Sequence, residues 1–155
     1  GKADCRETDL SNAELSSTNK AKINLRRGYL SGANLTQAVL TEAVLSRADL
    51  SDAIIISANL GQASLREAFL TGADLTGSDL RSADLVGADL TDAVLIDANL
   101  AHALLSRAML GGSNLTGANL NKVDLADANL SGAILNDSKL IETNLSNADL
   151  SGADF

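Results

Sequence analysis

The chain has 155 residues, a net charge of −8, one cysteine, no Trp or Pro, and only 2% aromatic residues. Aromatic bulk normally fills a compact core, so an apolar fraction made almost wholly of Leu and Ala predicts a narrow, uniform interior. The acidity disfavours nucleic acid and anionic membranes as partners, a lone Cys excludes an intrachain disulfide, and no apolar run approaches the roughly 18–20 residues of a membrane span.

From the first residues onward the chain runs in fives. Of 31 positions whose numbers are multiples of five, 27 are Leu; the exceptions are Cys5, Lys20, Ile55 and Phe155. Two places before these centres, 22 of 31 residues are Ala, and most others are small. The residue just before the centre is most often Asp or Asn. No insertion breaks the register, so one domain spans 1–155 with no linker to propose.

A helix would spread a five-residue period around its surface, and a straight strand would throw successive Leu to opposite faces. The pattern closes if the chain turns a corner within every pentamer. Four pentamers then make a square coil of 20 residues. Coils stack at about 4.8 Å, so nearly eight of them make an all-β rod roughly 37 Å long. Face 1 is centred on 5, 25 and onward, face 2 on 10, 30 and onward, face 3 on 15, 35 and onward, and face 4 on 20, 40 and onward.

The first coils depart most from the pattern. Lys20 occupies an interior position, where an unpaired ammonium is very costly, and Cys5, Thr8, Thr18 and Gly28 also deviate. Residues 1–30 are therefore expected to be less regular, with Lys20 reaching out through the open end. From about residue 31 the pattern is clean.

The corners differ by edge. Two residues after the face 2 centres stand Asn12, Gly32, Asp52, Gly72, Asp92, Gly112, Gly132 and Gly152. All tolerate positive φ, which predicts type II turns along that edge. After the face 4 centres stand Lys22, Glu42, Gln62, Ser82, His102, Lys122 and Glu142. None favours positive φ, so a different turn type is expected there.

Charge is sorted as well. Faces 2 and 3 carry eleven acids, among them Asp49, Asp52, Asp89 and Asp92, and no Lys or Arg. On these faces the column before the centre alternates: Asp9, Tyr29, Asp49, Phe69, Asp89, Met109 on one, and Glu14, Asn34, Ile54, Asp74, Val94, Asn114, Ile134, Asp154 on the other. Such spacing relieves like-charge stacking. It also sets Ile54, Ile56, Val94, Ile96 and Ile134 on one face at two-coil intervals, and LSDAIIISANL (50–60) is echoed by LTDAVLIDANL (90–100). With Asp49, Asp52, Asp89 and Asp92 this row is the candidate contact surface for a partner protein.

The units resemble those of the pentapeptide-repeat family, A(D/N)LXX, over essentially the whole chain. The resemblance implies a right-handed quadrilateral parallel β-helix, closest in style to uninterrupted Leu-centred cyanobacterial and plastid members. It also implies two functional classes. One is a non-enzymatic scaffold that binds another protein. The other is a mimic of duplex DNA that inhibits DNA gyrase, as some family members do. The uninterrupted Leu interior, with neither a loop insertion nor a dimerising extension, favours the scaffold. Open coil ends leave unpaired strand edges, so weak end-to-end association is expected, which sedentation by analytical ultracentrifugation tests.

Little chemistry accompanies this. His102 falls at an exposed corner, Cys5 has no base beside it, the carboxylates follow the repeat, and a convex rod offers no pocket to shift them. GGSN at 111–114 is corner glycine, not a phosphate loop. The sequence points to no enzyme, cofactor or metal, and to no direct nucleic-acid or membrane binding. Its compartment stays open: cytoplasm is favoured, with thylakoid lumen or periplasm if a targeting segment preceded Gly1.

Overall fold

Each pentamer repeats one cycle of backbone hydrogen bonds, and residues 48–52 show it. The Ala48 N–H closes a turn on Leu45 O (3.0 Å), Asp49 N donates back one coil to Gly28 O (2.9 Å), and Leu50 N and Asp52 N donate forward to Phe69 O and Thr71 O (2.7 and 3.0 Å). The fifth donor, Ser51 N, is held by the Asp49 side chain at 3.0 Å. This cycle runs through the computed structural model, which describes residues 3–155. The residue before each centre, from Asp4 to Ile134, bridges in parallel to the residue 20 places later. One bridge per face, with a two-residue turn between faces, builds the quadrilateral parallel β-helix.

The interior is two sets of columns. Leu25 through Leu135 are at most 2% exposed, with Ile55 standing in at 0%, and the Ala columns beside them are equally dry. Burying a Leu side chain stabilises by about 1.5–3 kcal/mol. Here that gain repeats with little variety, as expected of a solenoid whose coils lean only on their neighbours. Ser113 enters an Ala column by returning its hydroxyl to Leu110 O at 2.8 Å.

Two expectations are corrected. The face 4 edge does not use another turn type. Lys22, Glu42, Gln62, Ser82, His102, Lys122 and Glu142 all have φ between 54° and 62°, like the glycine-rich edge. Their amides show why: Lys22 N and His102 N donate to Thr41 O and Asn121 O in the next coil (2.8 and 3.0 Å), and left-handed backbone aims them there. Side-chain preference, about 1–2 kcal/mol per residue, yields to a ladder bond and a turn bond at each corner.

Nor is the backbone of the first coil irregular. Glu7, Asn12 and Ser17 have the usual φ of 54–57°, and Cys5 N and Leu10 N reach Asn24 O and Tyr29 O at 2.7 Å. The ladder uses backbone groups, so departures in side chain leave it intact; Thr18 is accommodated by a hydroxyl bond to Leu15 O (2.6 Å). What changes at the ends is burial. Leu10, Leu15 and Lys20 in the first coil, and Leu140, Leu145 and Leu150 in the last, are half-buried because a neighbour lies on one side only.

Candidate functional site

The column before the centre decides what each face presents. An Asp or Asn there folds its Oδ1 over the turn and accepts the N–H two residues on. Eighteen such caps form, at every Asp or Asn of this column that has a residue two places later. These acids are therefore first a device for completing the backbone hydrogen bonds. Asp9 shows the electrostatic consequence: the Ser11 N–H holds its carboxyl below the usual range. Asp149 is lowered likewise by the Ser151 side chain and N–H.

Face 4 keeps this cap through four successive coils, at Asn59, Asp79, Asn99 and Asn119. Mixing Asn with Asp avoids stacking like charges, and Asn119 Nδ2 donates to Asn99 Oδ1 at 3.2 Å. Arg81 grips Asp79 at 2.6 Å, and this bond holds the Asp79 carboxyl below its ordinary value. Corner residues 20 apart also pair, as in Lys22–Glu42 (3.3 Å) on the face 4 edge and Arg47–Glu67 (2.7 Å) on the face 1 edge.

Faces 2 and 3 break the column. Tyr29, Phe69 and Met109 replace the capping residue on face 2, and Ile54, Val94 and Ile134 replace it on face 3. The amides of Ser31, Thr71 and Gly111, and of Ile56, Ile96 and Asn136, then have no hydrogen-bond partner among the described residues. Tyr29, Phe69 and Met109 are 53%, 51% and 44% exposed, and Ile54 41%.

The candidate contact residues fall on these two adjoining faces. Ile54, Val94 and Ile134 share one column, but Asp74 and Asn114 stand between them, so the apolar row is interrupted at every second coil. Ile56 and Ile96 sit half-buried at the adjacent turn. Asp49 and Asp89 cap Ser51 and Thr91 on face 2. Asp52 and Asp92 lie exposed on the shared edge. Each covers the glycine one coil on: a Cβ on Gly72 would stand 2.5 Å from Asp52 Oδ1, and one on Gly112 would collide with Asp92 in the same way. Up to Gly112 the glycines of that edge thus have a steric reason, whereas nothing crowds Gly132 or Gly152.

The residues that sequence reasoning left out of the site are Tyr29, Phe69 and Met109, more exposed than any residue of the Ile row. Their signal was present, as apolar side chains in a column otherwise reserved for Asp and Asn on face 2. Leu104 on face 1, and Ile141 and Phe155 in the last coil, are the other exposed large apolar residues. His102 stands exposed at its corner, and Cys5 is half-buried. Among the described residues no three His, Cys, Asp or Glu converge as a metal site, and no helix is long and apolar enough to cross a membrane.

Comparison with known proteins places this geometry in a class. The family description "Pentapeptide repeats (8 copies)" matches overlapping stretches from residue 21 to 155. The chain belongs to the pentapeptide-repeat family, and its solenoid is the right-handed quadrilateral β-helix of that family. Among solved structures it is similar to HetL, a pentapeptide repeat protein involved in heterocyst differentiation regulation from the cyanobacterium Nostoc sp. strain PCC 7120. Identity is 35%, with 99% of this chain and 73% of HetL covered, at a TM-score of 0.73. It is also similar in fold to QnrB1, a plasmid-mediated fluoroquinolone resistance protein, at 22% identity, with 96% and 78% covered and a TM-score of 0.78. No curated protein sequence matches the chain.

Proposed function

We propose that the protein is a non-enzymatic scaffold whose faces 2 and 3 bind another protein. One observation carries the reading. On the two faces that hold eleven acids and no base, three capping positions per face, each two coils from the next, are given to Tyr29, Phe69 and Met109 and to Ile54, Val94 and Ile134. Each gives up a turn hydrogen bond, worth about 0.5–1.5 kcal/mol net, and several leave a large apolar side chain in water. The spacing relieves like-charge stacking, but Asn would do so and keep the cap; a binding surface is what the apolar side chain adds. The similar protein HetL is involved in heterocyst differentiation regulation, and a protein-binding role for this chain is compatible with that.

Mimicry of duplex DNA toward gyrase is the second reading. It rests on the acidity of the same faces. B-DNA carries about one charge per 1.7 Å of axis, so the roughly 37 Å rod would need about twice the eleven acids that faces 2 and 3 hold. The apolar columns interrupt what charge there is.

The test is capture of partners from a native lysate by the wild type and by an Ile54→Ser/Val94→Ser/Ile96→Ser variant. The scaffold reading expects partners lost on the variant while its far-UV circular dichroism is unchanged; equal capture rejects this surface. A gyrase supercoiling assay separates the readings: the scaffold expects no inhibition at micromolar protein.

A further inference from the structure

The column Tyr29, Asp49, Phe69, Asp89, Met109 of face 2 is joined rung by rung through parallel bridges. It presents apolar, acid, apolar, acid, apolar at about 4.8 Å per coil. Two slots result, one between Tyr29 and Phe69 with Asp49 at the floor, the other between Phe69 and Met109 with Asp89 at the floor. The first is an open groove, whose rim includes Arg27 and Arg47. Both rim arginines are turned to partners on their own edge, Glu7 at 3.7 Å and Glu67 at 2.7 Å.

Relief of charge repulsion does not explain these residues. Face 4 achieves it from residue 59 to 119 with Asn59, Asn99 and Asn119 around Asp79, and keeps the cap in all four of those coils. Face 2 instead gives up the caps at Ser31, Thr71 and Gly111. Those three amides, on the outer side of the turns, form a row of unused donors two coils apart. In both slots the Asp is held in place by its bond to Ser51 or Thr91, each 3.0 Å through Oδ1. Its second oxygen has no hydrogen-bond partner among the described residues.

An acid between two apolar walls suits a cationic side chain, which aromatic rings attract through their faces. The spacing suits a particular backbone. Two coils rise about 9.6 Å. A polyproline II segment repeats its side-chain direction every three residues, a rise of about 9.3 Å, and its carbonyls are free to accept. An extended strand returns to the same side after about 6.7 Å, and an α-helix at seven residues after about 10.5 Å. We infer that face 2 binds a basic polyproline II segment of a partner protein, with Lys or Arg at every third residue entering successive slots and the segment's carbonyls meeting the uncapped amides. This rests on the scaffold reading and names the partner's chemistry.

The test uses the full chain and two labelled peptides of identical composition, Pro-Arg-Pro-Pro-Arg-Pro and Pro-Arg-Pro-Arg-Pro-Pro, in fluorescence anisotropy at low salt. The first, with Arg three apart, is expected to bind at least about fivefold tighter, the scale of one cation–π contact. A Tyr29→Asn/Phe69→Asn/Met109→Asn variant restores three caps, so it keeps its fold. It is expected to lose about twenty-fivefold in affinity for the first peptide, the product of two such contacts. Equal binding of both peptides would reduce the interaction to attraction toward an acidic protein and overturn the inference, as would undiminished binding by the variant or no binding at all. Partner capture that depends on Ile54, Val94 and Ile96 is scored separately, so failure here leaves the scaffold reading standing and identifies which proposal failed.

Discussion

Faces 2 and 4 share one ladder and one interior, and beyond their corner residues they differ in the outer column before the centre. Between Val39 and Lys139, face 4 fills it with Asn59, Asp79, Asn99 and Asn119, each closing the turn that follows. Face 2 alternates such caps with Tyr29, Phe69 and Met109, all strongly exposed. The inner columns are indifferent to this choice: Leu90 beneath face 2 and Leu100 beneath face 4 are both 0% exposed. Structure and surface are thus specified by separate columns of the same pentamer, and a face can be altered without touching the core.

The largest effects should come from what the two faces share. Leu90→Ala and Leu100→Ala each remove a fully buried side chain and are expected to lose about 2–5 kcal/mol by urea unfolding. Equal losses are expected; a wide disparity would show that the faces do not rest on one core.

Next comes the glycine edge beside face 2. Gly72 has φ +68°, and Asp52 Oδ1 occupies the space a Cβ needs. Gly72→Ala is expected to destabilise by about 1–2 kcal/mol, the scale of placing a side chain in left-handed backbone. Adding Asp52→Gly should return the steric part of that loss. Thermal melts of the single and double variants check this, and no recovery in the double variant would contradict the steric account.

A smaller effect separates the faces by pH. Arg81 holds the Asp79 carboxyl below its ordinary value. A carboxylate with a depressed folded pKa stabilises above its unfolded pKa, about 3.9, and that contribution is lost as pH falls through the folded pKa. Asp79→Asn keeps the capping oxygen and removes the titration. Its melting temperature should fall less steeply than wild type below about pH 4, and parallel slopes would count against the pair. The smallest effect belongs to exposed corner pairs: Arg47→Gln, which breaks the 2.7 Å contact with Glu67, should leave the melting temperature essentially unchanged, because solvent screens an exposed pair, as read by the same melts.

The inner half of this architecture was plain in the sequence, because a Leu at every fifth residue admits few backbones. The corners were less so. Lys22, Glu42 and His102 carry no local preference for positive φ, yet the ladder imposes it, a tertiary demand that residue type does not reveal. Lys20 suggested an irregular first coil, but the backbone bonds of that coil ignore side chains. The acids were misread in kind: Asp49 and Asp89 stood out as charge, while their bonds to Ser51 and Thr91 are visible only once the turn geometry is known. For the same reason Tyr29, Phe69 and Met109 looked like spacing between acids, not like places where a cap had been surrendered.

The central claim is that the residue before each Leu is a cap whose replacement costs stability and exposes surface. Exchange between the two faces tests it most directly, by comparing melting temperatures of Phe69→Asn and Asn99→Phe. The first should rise and the second fall, by about 0.5–1.5 kcal/mol each way, or a few degrees for a chain of this size. If Phe69→Asn melts lower than wild type, or Asn99→Phe is unchanged, the capping account is wrong.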